Sequence, residues 1–247
     1  VPVLKSWPDN YMMYGYKAGY PLNSLWGFQN LGVIKSKEDI ERNKLTKTWA
    51  TQTAPSLGEL KYADQNNDGV LDDNDLIYLG NSDPILHGGF QNNFHIGNFK
   101  ISLYFAYSLG GKIYNYSQLY MGGSAITNQY RFMLDAWHPE KRPDSDIPRA
   151  GFDANEIVPS DYMVYDASYI RLKNASISYN FDFKKNKKQL VKGLTLTLTG
   201  DNLWLWSKYI GYDPDVSTES DGSVMRRVDI GAYPKARMVI LKANIKF

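Results

Sequence analysis

Twelve consecutive residues, Asp64-Gln65-Asn66-Asn67-Asp68-Gly69-Val70-Leu71-Asp72-Asp73-Asn74-Asp75, carry a dense set of oxygen donors. Asp64, Asn66 and Asp68 fall on alternate positions, Gly69 comes sixth, and Asp72 and Asp75 come ninth and twelfth. That spacing wraps roughly six to eight oxygens around a calcium ion. Gly69 supplies the sharp turn, Val70 offers its backbone carbonyl, and Leu71 is the apolar anchor. The twelfth position holds Asp75 rather than Glu; its shorter arm reaches with one oxygen more readily than two, which weakens binding. Little in the sequence signals a helix after the loop. The expectation is therefore a lone structural calcium on Asp64, Asn66, Asp68, Val70, Asp72 and Asp75, with Asp72 reaching directly or through water. The other reading of the same residues is an acidic, Asn-rich turn without metal.

Other chemistries lack their residues. Cysteine is absent, which excludes disulfide frameworks, Cys-based zinc sites, iron–sulfur clusters and thiol nucleophiles. His87, His95 and His138 stand in no metal-binding spacing and read as hydrogen-bonded fillers. The chain contains no G-x-S-x-G elbow, no G-x-x-x-x-G-K-[ST] loop and no G-x-G-x-x-G fingerprint. Carboxylates are numerous enough for a glycosidase pair, yet none is singled out. No enzyme activity is expected. The 28 basic and 26 acidic residues leave a net charge of +2, which does not point to nucleic acid. The lysines at 184, 185, 187 and 188 read as a solvated turn.

The elements that must carry these residues are strands. Over Asn98–Gly110, Phe99, Ile101, Leu103, Phe105, Tyr107 and Leu109 alternate with a more polar set. Gly193–Trp206 repeats the pattern with Leu194, Leu196 and Leu198 against threonines, and Arg237–Phe247 with Val239, Leu241, Ala243, Ile245 and Phe247. A two-residue period predicts strands with one apolar face. Further strands are expected over Pro84–Ile96 and Tyr162–Phe181, with another within Tyr11–Val33. Ser36 and Asp39 form a capping-box pattern ahead of one short helix.

Connections alternate in length. Gly97-Asn98 and Asp182–Lys192 are short; Ile34–Asp83, Gly111–Asp161 and Ser207–Lys235 are long. Long loops of this kind are usually functional, and short turns at one end with long loops at the other are the habit of outer-membrane barrels. Aromatics make up 14% of the 247 residues. Phe94, Phe99, Tyr179, Phe181 and Phe247 lie near the short-turn ends, and Tyr107, Trp204, Trp206 and Tyr209 near the long-loop ends. Paired girdles at two membrane interfaces have that distribution. Mean hydropathy is −0.44, and no apolar run reaches the roughly 18 residues of a membrane helix. The chain opens at Val1 with neither Met nor a signal-peptide pattern, so it reads as a processed chain or a piece of a longer one. The fold class expected is all-β, either a transmembrane barrel segment or a soluble, secreted calcium-containing β-sandwich that binds carbohydrate.

Five segments resemble SusC/RagA-type TonB-dependent outer-membrane transporters, in the family's order. They are GYPLNSLWGFQNLGVIKSKEDI from Gly19, GELKYADQNNDGVLDDND from Gly58, DASYIRLKNASISYNF from Asp166, GDNLWLWSKYIGYDPDVS from Gly200, and GAYPKARMVILKANIKF from Gly231 to the terminal Phe247. The resemblance implies an antiparallel transmembrane β-barrel of which residues 1–247 supply the C-terminal portion, about the last five or six of 22 strands. Residues 58–83 then form a calcium-binding extracellular loop. The implied setting is the Gram-negative outer membrane of Bacteroidetes, with loops outside and the C-terminus periplasmic. The implied partners are the plug and N-terminal barrel of the same transporter, a SusD-like lipoprotein, TonB through the missing N-terminal part, outer-membrane lipid, and a glycan or peptide nutrient. The rows Ile101/Leu103/Phe105, Leu194/Leu196/Leu198 and Val239/Leu241/Ala243/Ile245 are expected to meet lipid.

Overall fold

Alternation in the sequence becomes alternation in space. A computed structural model describes residues 17–47, 55–123, 127–151, 158–183, 190–216 and 226–247. In chain order the elements begin with β1 (Ser24–Gly27), β2 (Asn30–Val33), α1 (Lys37–Arg42), β3 (Thr46–Lys47), β4 (Leu60–Tyr62), β5 (Val70–Leu71) and β6 (Ile77–Asn81). Then come β7 (Leu86–Ile96), β8 (Phe99–Leu109), β9 (Lys112–Asn115), α2 (Ser117–Met121), β10 (Val164–Asp166), β11 (Tyr169–Asp182), β12 (Gly193–Ser207), β13 (Val228–Asp229) and β14 (Met238–Lys246).

The chain divides into two units. One is a five-stranded antiparallel sheet in the order β14-β12-β11-β8-β7. The β7–β8 hairpin closes over Gly97-Asn98, where Gly97 takes φ 58°; a Gly in the first position of a two-residue hairpin is what a II′ turn demands. The β11–β12 connection contains the four turn lysines, which lie outside the described residues. The second unit is drawn from the chain leaving the opposite strand ends: residues up to 83, 111–166 and 216–232.

Register aligns the apolar positions of all five strands. Phe94, Ile101, Ile177, Leu198 and Leu241 stand side by side, as do Ile96, Phe99, Tyr179, Leu196 and Ala243. The opposite face is polar, with rows such as His95, Lys100, Ser178, Thr197 and Lys242. There Ser178 and Thr197 share a hydrogen bond of 2.9 Å, and Thr195 Oγ1 donates to Asn180 Oδ1 at 2.8 Å. The apolar rows are open rather than sandwiched: Leu198 is 47% exposed, Val239 73% and Leu241 75%. A β-sandwich core would bury them.

One irregularity keeps this facing intact. Leu172 pairs with Phe105 and Asn174 with Tyr104, so Lys173 is an extra residue relative to β8. Below the bulge the apolar face of β11 uses odd positions, Ala175 to Phe181; above it, even positions, Ile170 and Leu172. On β12, Asn202 and Leu203 together oppose Lys173, so Trp204 and Trp206 stay in phase with Leu194, Leu196 and Leu198. Asn202 takes φ 52° and its Nδ2 donates to Ala236 O at 3.0 Å. A Cβ at Gly200 would lie 2.7 Å from Leu203 Cδ2, so a side chain there would have to displace that of Leu203. Bulges of this kind bend a strand and increase its twist.

The loop-derived unit has its own cores. Leu25, Tyr114, Leu119, Met163 and Val228 form one; Phe28, Val33, Leu60, Tyr62, Leu71, Trp137 and Val158 form the other. Ser36 caps α1 by accepting from Asp39 N at 3.1 Å, and Asp39 reaches back to Lys35 N at 3.1 Å. That backbone donor holds the Asp39 carboxyl below its ordinary range.

In the sheet unit, Arg171 and Asp213 form a buried ion pair at 2.5 Å. Asp213 Oδ1 also accepts from Asp215 N at 2.9 Å, so the pair pins the chain after β12 to β11. Asp213→Ala leaves a buried guanidinium uncompensated and is expected to cost about 3–5 kcal/mol of stability. A lowered denaturation midpoint reads it, and the double replacement Arg171→Met with Asp213→Leu is expected to recover most of the loss.

Candidate functional site: an acidic loop and an amphipathic wall

The acidic loop folds around its own backbone. Asp64 Oδ1 accepts from Asn67 N at 2.6 Å and Asp68 N at 3.3 Å, and Oδ2 accepts from Gly69 N at 2.8 Å. Gly69 sits at φ 78° and Asn67 at φ 60°, left-handed conformations that glycine and asparagine tolerate best. Asn66 Oδ1 accepts from Asp68 N at 3.1 Å, and Asp68 Oδ1 from Val70 N at 2.8 Å. Asp72 caps a short 3₁₀ turn, Asp73–Asp75, taking Asn74 N at 2.7 Å.

Asp75 has a distinct position. It is fully buried, and its two oxygens accept from Gln65 N and Asp72 N, each at 2.8 Å. One carboxylate thereby staples the entry of the loop to its exit. Val70 and Leu71 pair in parallel with Thr46 and Lys47, and the Leu71 side chain fills the core beside Phe28 and Tyr62. All six predicted residues lie in this one closed loop, anchored by Leu71, and the side chains of Asp64, Asn66, Asp68, Asp72 and Asp75 accept from the loop's own backbone.

The electrostatics of the loop are one-sided. Its twelve residues carry five aspartates and no lysine or arginine. Among the described residues, none of the ion pairs formed involves Asp64, Asp68, Asp72 or Asp75. Their hydrogen bonds come from backbone amides and side-chain amides, which use only part of each carboxylate's acceptor capacity. The donor set suits a hard, oxygen-seeking cation. In this arrangement no three carboxylate or imidazole groups among the described residues converge on one point.

The second feature is the sheet. At its short-turn end, Phe99, Tyr179 and Phe181 form a ladder with centroids 4.6 and 4.5 Å apart, both edge-on. At the other end Phe90 stacks on Phe105 at 4.9 Å, and Trp204 and Trp206 are about half exposed. Tyr209 departs from the expected girdle: it is buried at 8% exposure, its ring folded against Gly211. It follows the strand, where the chain has already turned away from the alternating pattern. From Phe99 to Leu109 is ten steps, about 34 Å along a strand and about 25 Å in height at a tilt near 40°. That matches the apolar band of a membrane barrel.

Comparison with known proteins agrees with this geometry. No family model matches the chain. It is 34% identical over 227 residues to TonB-dependent receptor P26 of Formosa agariphila, and 32% identical over 235 residues to TonB-dependent receptor P3 of the same organism. To TonB-dependent receptor SusC of Bacteroides thetaiotaomicron it is 23% identical over 242 residues. These alignments cover 90%, 94% and 97% of the chain but only 22%, 23% and 21% of the relatives, so the chain spans about a fifth of their length. Its fold superposes on the RagAB peptide transporter with a TM-score of 0.70, at 19% identity, covering 98% of the chain and 24% of that structure. An open-open state of the RagAB peptide importer gives 0.68. The chain is a β-barrel segment of the SusC/RagA family of TonB-dependent receptors.

Proposed function

We propose that this chain is the C-terminal wall of an outer-membrane nutrient importer, and that it contributes surface and loops rather than bond chemistry. The observation that carries this is the pair of apolar rows, Phe94–Leu241 and Ile96–Ala243, that cross all five strands and are left open. In lipid such a face is favourable, and a sheet with two open edges is not, because unpaired N–H and C=O groups cost several kcal/mol each. β7 and β14 are the outer strands of the sheet. The remaining strands and the plug of the whole transporter are therefore the partners that close it. Phe247 lies at the periplasmic rim on this reading, and the loop-derived unit is extracellular.

The rest of the reading follows the family. A SusD-like lipoprotein covers the extracellular face, TonB supplies energy through the N-terminal part, and the cargo is a glycan or a peptide. RagAB is a peptide importer, which supports the peptide class by fold alone. The direct test of the wall is depth-dependent substitution in the whole transporter. Leu198→Arg is expected to cost about 2–4 kcal/mol in a bilayer, while Thr197→Arg on the polar face is tolerated. Equal costs at the two positions would overturn the assignment of faces. Gentle extraction is expected to bring a lipoprotein down with the transporter; extraction as a single subunit would count against that partner.

Residues 58–83 form a calcium-stapled extracellular loop in the same proposal. Five aspartates clustered in twelve residues that hold no lysine or arginine are what support it. The ion would be held by Asp64, Asn66, Asp68, Asp72, Asp75 and the Val70 carbonyl, and its role would be to neutralise the loop. Extracellular calcium sites of about 10⁻⁴–10⁻³ M suffice. Chelation of the intact transporter is expected to speed proteolysis within the loop, with millimolar calcium restoring protection. Asp68→Ala should abolish that calcium dependence; a loop equally resistant with and without chelator rejects the site. Asp75→Ala is expected to open the loop whether or not calcium is present, since two backbone donors lose their acceptor.

A further inference from the structure

At its long-loop end the sheet unit folds chain back over its own polar side. Above the bulge, β11 turns its odd positions, Tyr169 and Arg171, to that side, and Tyr169 shares a row with Ser108 and Ser207. Near the short turns the polar face is open, with His95, Lys100 and Lys242 exposed. At the other end it is covered, and Ser108, Tyr169 and Arg171 are all buried. A lone sheet buries polar-face side chains only where other chain lies against them.

Residues 208–215 supply part of that cover. Asp213 Oδ1 accepts from Arg171 Nη2 at 2.5 Å, in a pair whose side chains are 3% and 5% exposed. The guanidinium lies 5.6 Å from the centroid of the Tyr169 ring. Its Nε has no acceptor, and among the described residues Asp213 is the carboxylate that pairs with it. Two residues on, Asp215 pairs with Lys235, shortly ahead of β14. The segment leaving β12 is thus drawn to β11 at one point and to the approach of β14 at another.

Its shape is set locally. Ser207 Oγ donates to Ser168 O at 3.0 Å and accepts from Tyr209 N at 3.1 Å, which ties the exit of β12 to the entry of β11. A side chain at Gly211 would fall on the Tyr209 ring. Tyr209, Asp213 and Pro214 are buried, while Ile210 and Tyr212 between them are exposed. One side of the segment therefore rests on protein and the other is free. The Arg171–Asp213 pair, being buried, is screened by salt far less than the half-exposed Asp215–Lys235 pair.

We propose that residues 208–215 are a fixed sill inside the mouth of the barrel, with Ile210 and Tyr212 toward the passage, and that this sill limits the girth of the cargo admitted. The proposal rests on the importer reading, in which the polar face lines the passage. The test uses the whole transporter in lipid vesicles with its long loops outward. Spin labels at Tyr212→Cys and Ser176→Cys, the latter on the polar face of β11 below the bulge, report where the sill lies. One narrow distance is expected, broadened in Asp213→Ala and less so in Asp213→Asn, which keeps the shape and an acceptor. The double replacement Arg171→Met with Asp213→Leu is expected to narrow it again, since an apolar contact then stands in for the ion pair. In a second arm, Ser176→Cys alone reacts from outside with a small charged maleimide and with one carried on a long polyethylene glycol. The ratio of small to large labelling rates is expected to fall about tenfold or more in Asp213→Ala, as release of a segment held by a buried pair predicts. A distance already broad without the Asp213 change, or untouched by it, overturns the sill. A narrow, Asp213-dependent distance with labelling indifferent to reagent size upholds the folded strap and overturns the reading of the polar face as a passage. Labelling that selects by size but is not relaxed in Asp213→Ala upholds the passage and overturns the sill.

Discussion

Every feature of the sheet descends from one constraint: a strand can satisfy its backbone only sideways, so its side chains must divide between two faces. In this chain five strands make that division in register. The apolar rows Phe94–Leu241 and Ile96–Ala243 exist because the pairing of β7, β8, β11, β12 and β14 lines up positions far apart in sequence. A slip of one residue anywhere would turn lysines and serines into the apolar row. The bulge at Lys173, matched by two residues on β12, bends the wall without incurring that slip.

The connections obey a different rule. They have no long ladder to satisfy their backbone, so side chains do it. Asp64 takes three amides, Asp75 takes two, Asp229 takes Gly231 N and Ala232 N, and His138 takes two more. Asp and Asn are frequent in these segments because a short polar side chain can imitate the missing strand. The acidic character of the loop at 64–75 is thus partly structural, and only its surplus charge is left for the calcium proposal to rest on.

Legibility followed range. β8, β12 and β14 stood out because their period of two is unbroken over most of their length. β11 was harder: the phase change at Lys173 breaks the alternation, and nothing in its own residues says that two residues on β12 compensate. Of the short strands in the loop unit, β1 and β2 fall inside the strand region expected within Tyr11–Val33; β3, β4 and β5 were invisible, since each is held by a distant partner, as Val70 is by Thr46. In the acidic loop the donors, Gly69 and the anchor Leu71 were readable from spacing. The buried clamp at Asp75 was not, because it depends on where Gln65 N and Asp72 N come to rest. Tyr209 shows the opposite failure: proximity to a strand end suggested an interface, while the turn at Gly211 folded it inward. The inward fold of residues 208–215 left no motif, as it hangs on the partner that Asp213 finds on another strand.

The loop unit is assembled from pieces that lie far apart along the chain. Asn30 N binds Asp161 across 131 positions, and Ser117 reaches Asp229 O across 112. Closing such loops in an open chain is entropically expensive and slow. The hairpins β7–β8 and β11–β12 need no such closure, and once β8 meets β11 the ends at 110 and 167 are already neighbours in the sheet. Assembly should therefore run from local ribbons to the long-range knot of loops, with the acidic loop among the last parts to acquire its shape. A chain arrested partway would display a formed wall and unformed recognition surfaces, the state most exposed to proteolytic quality control.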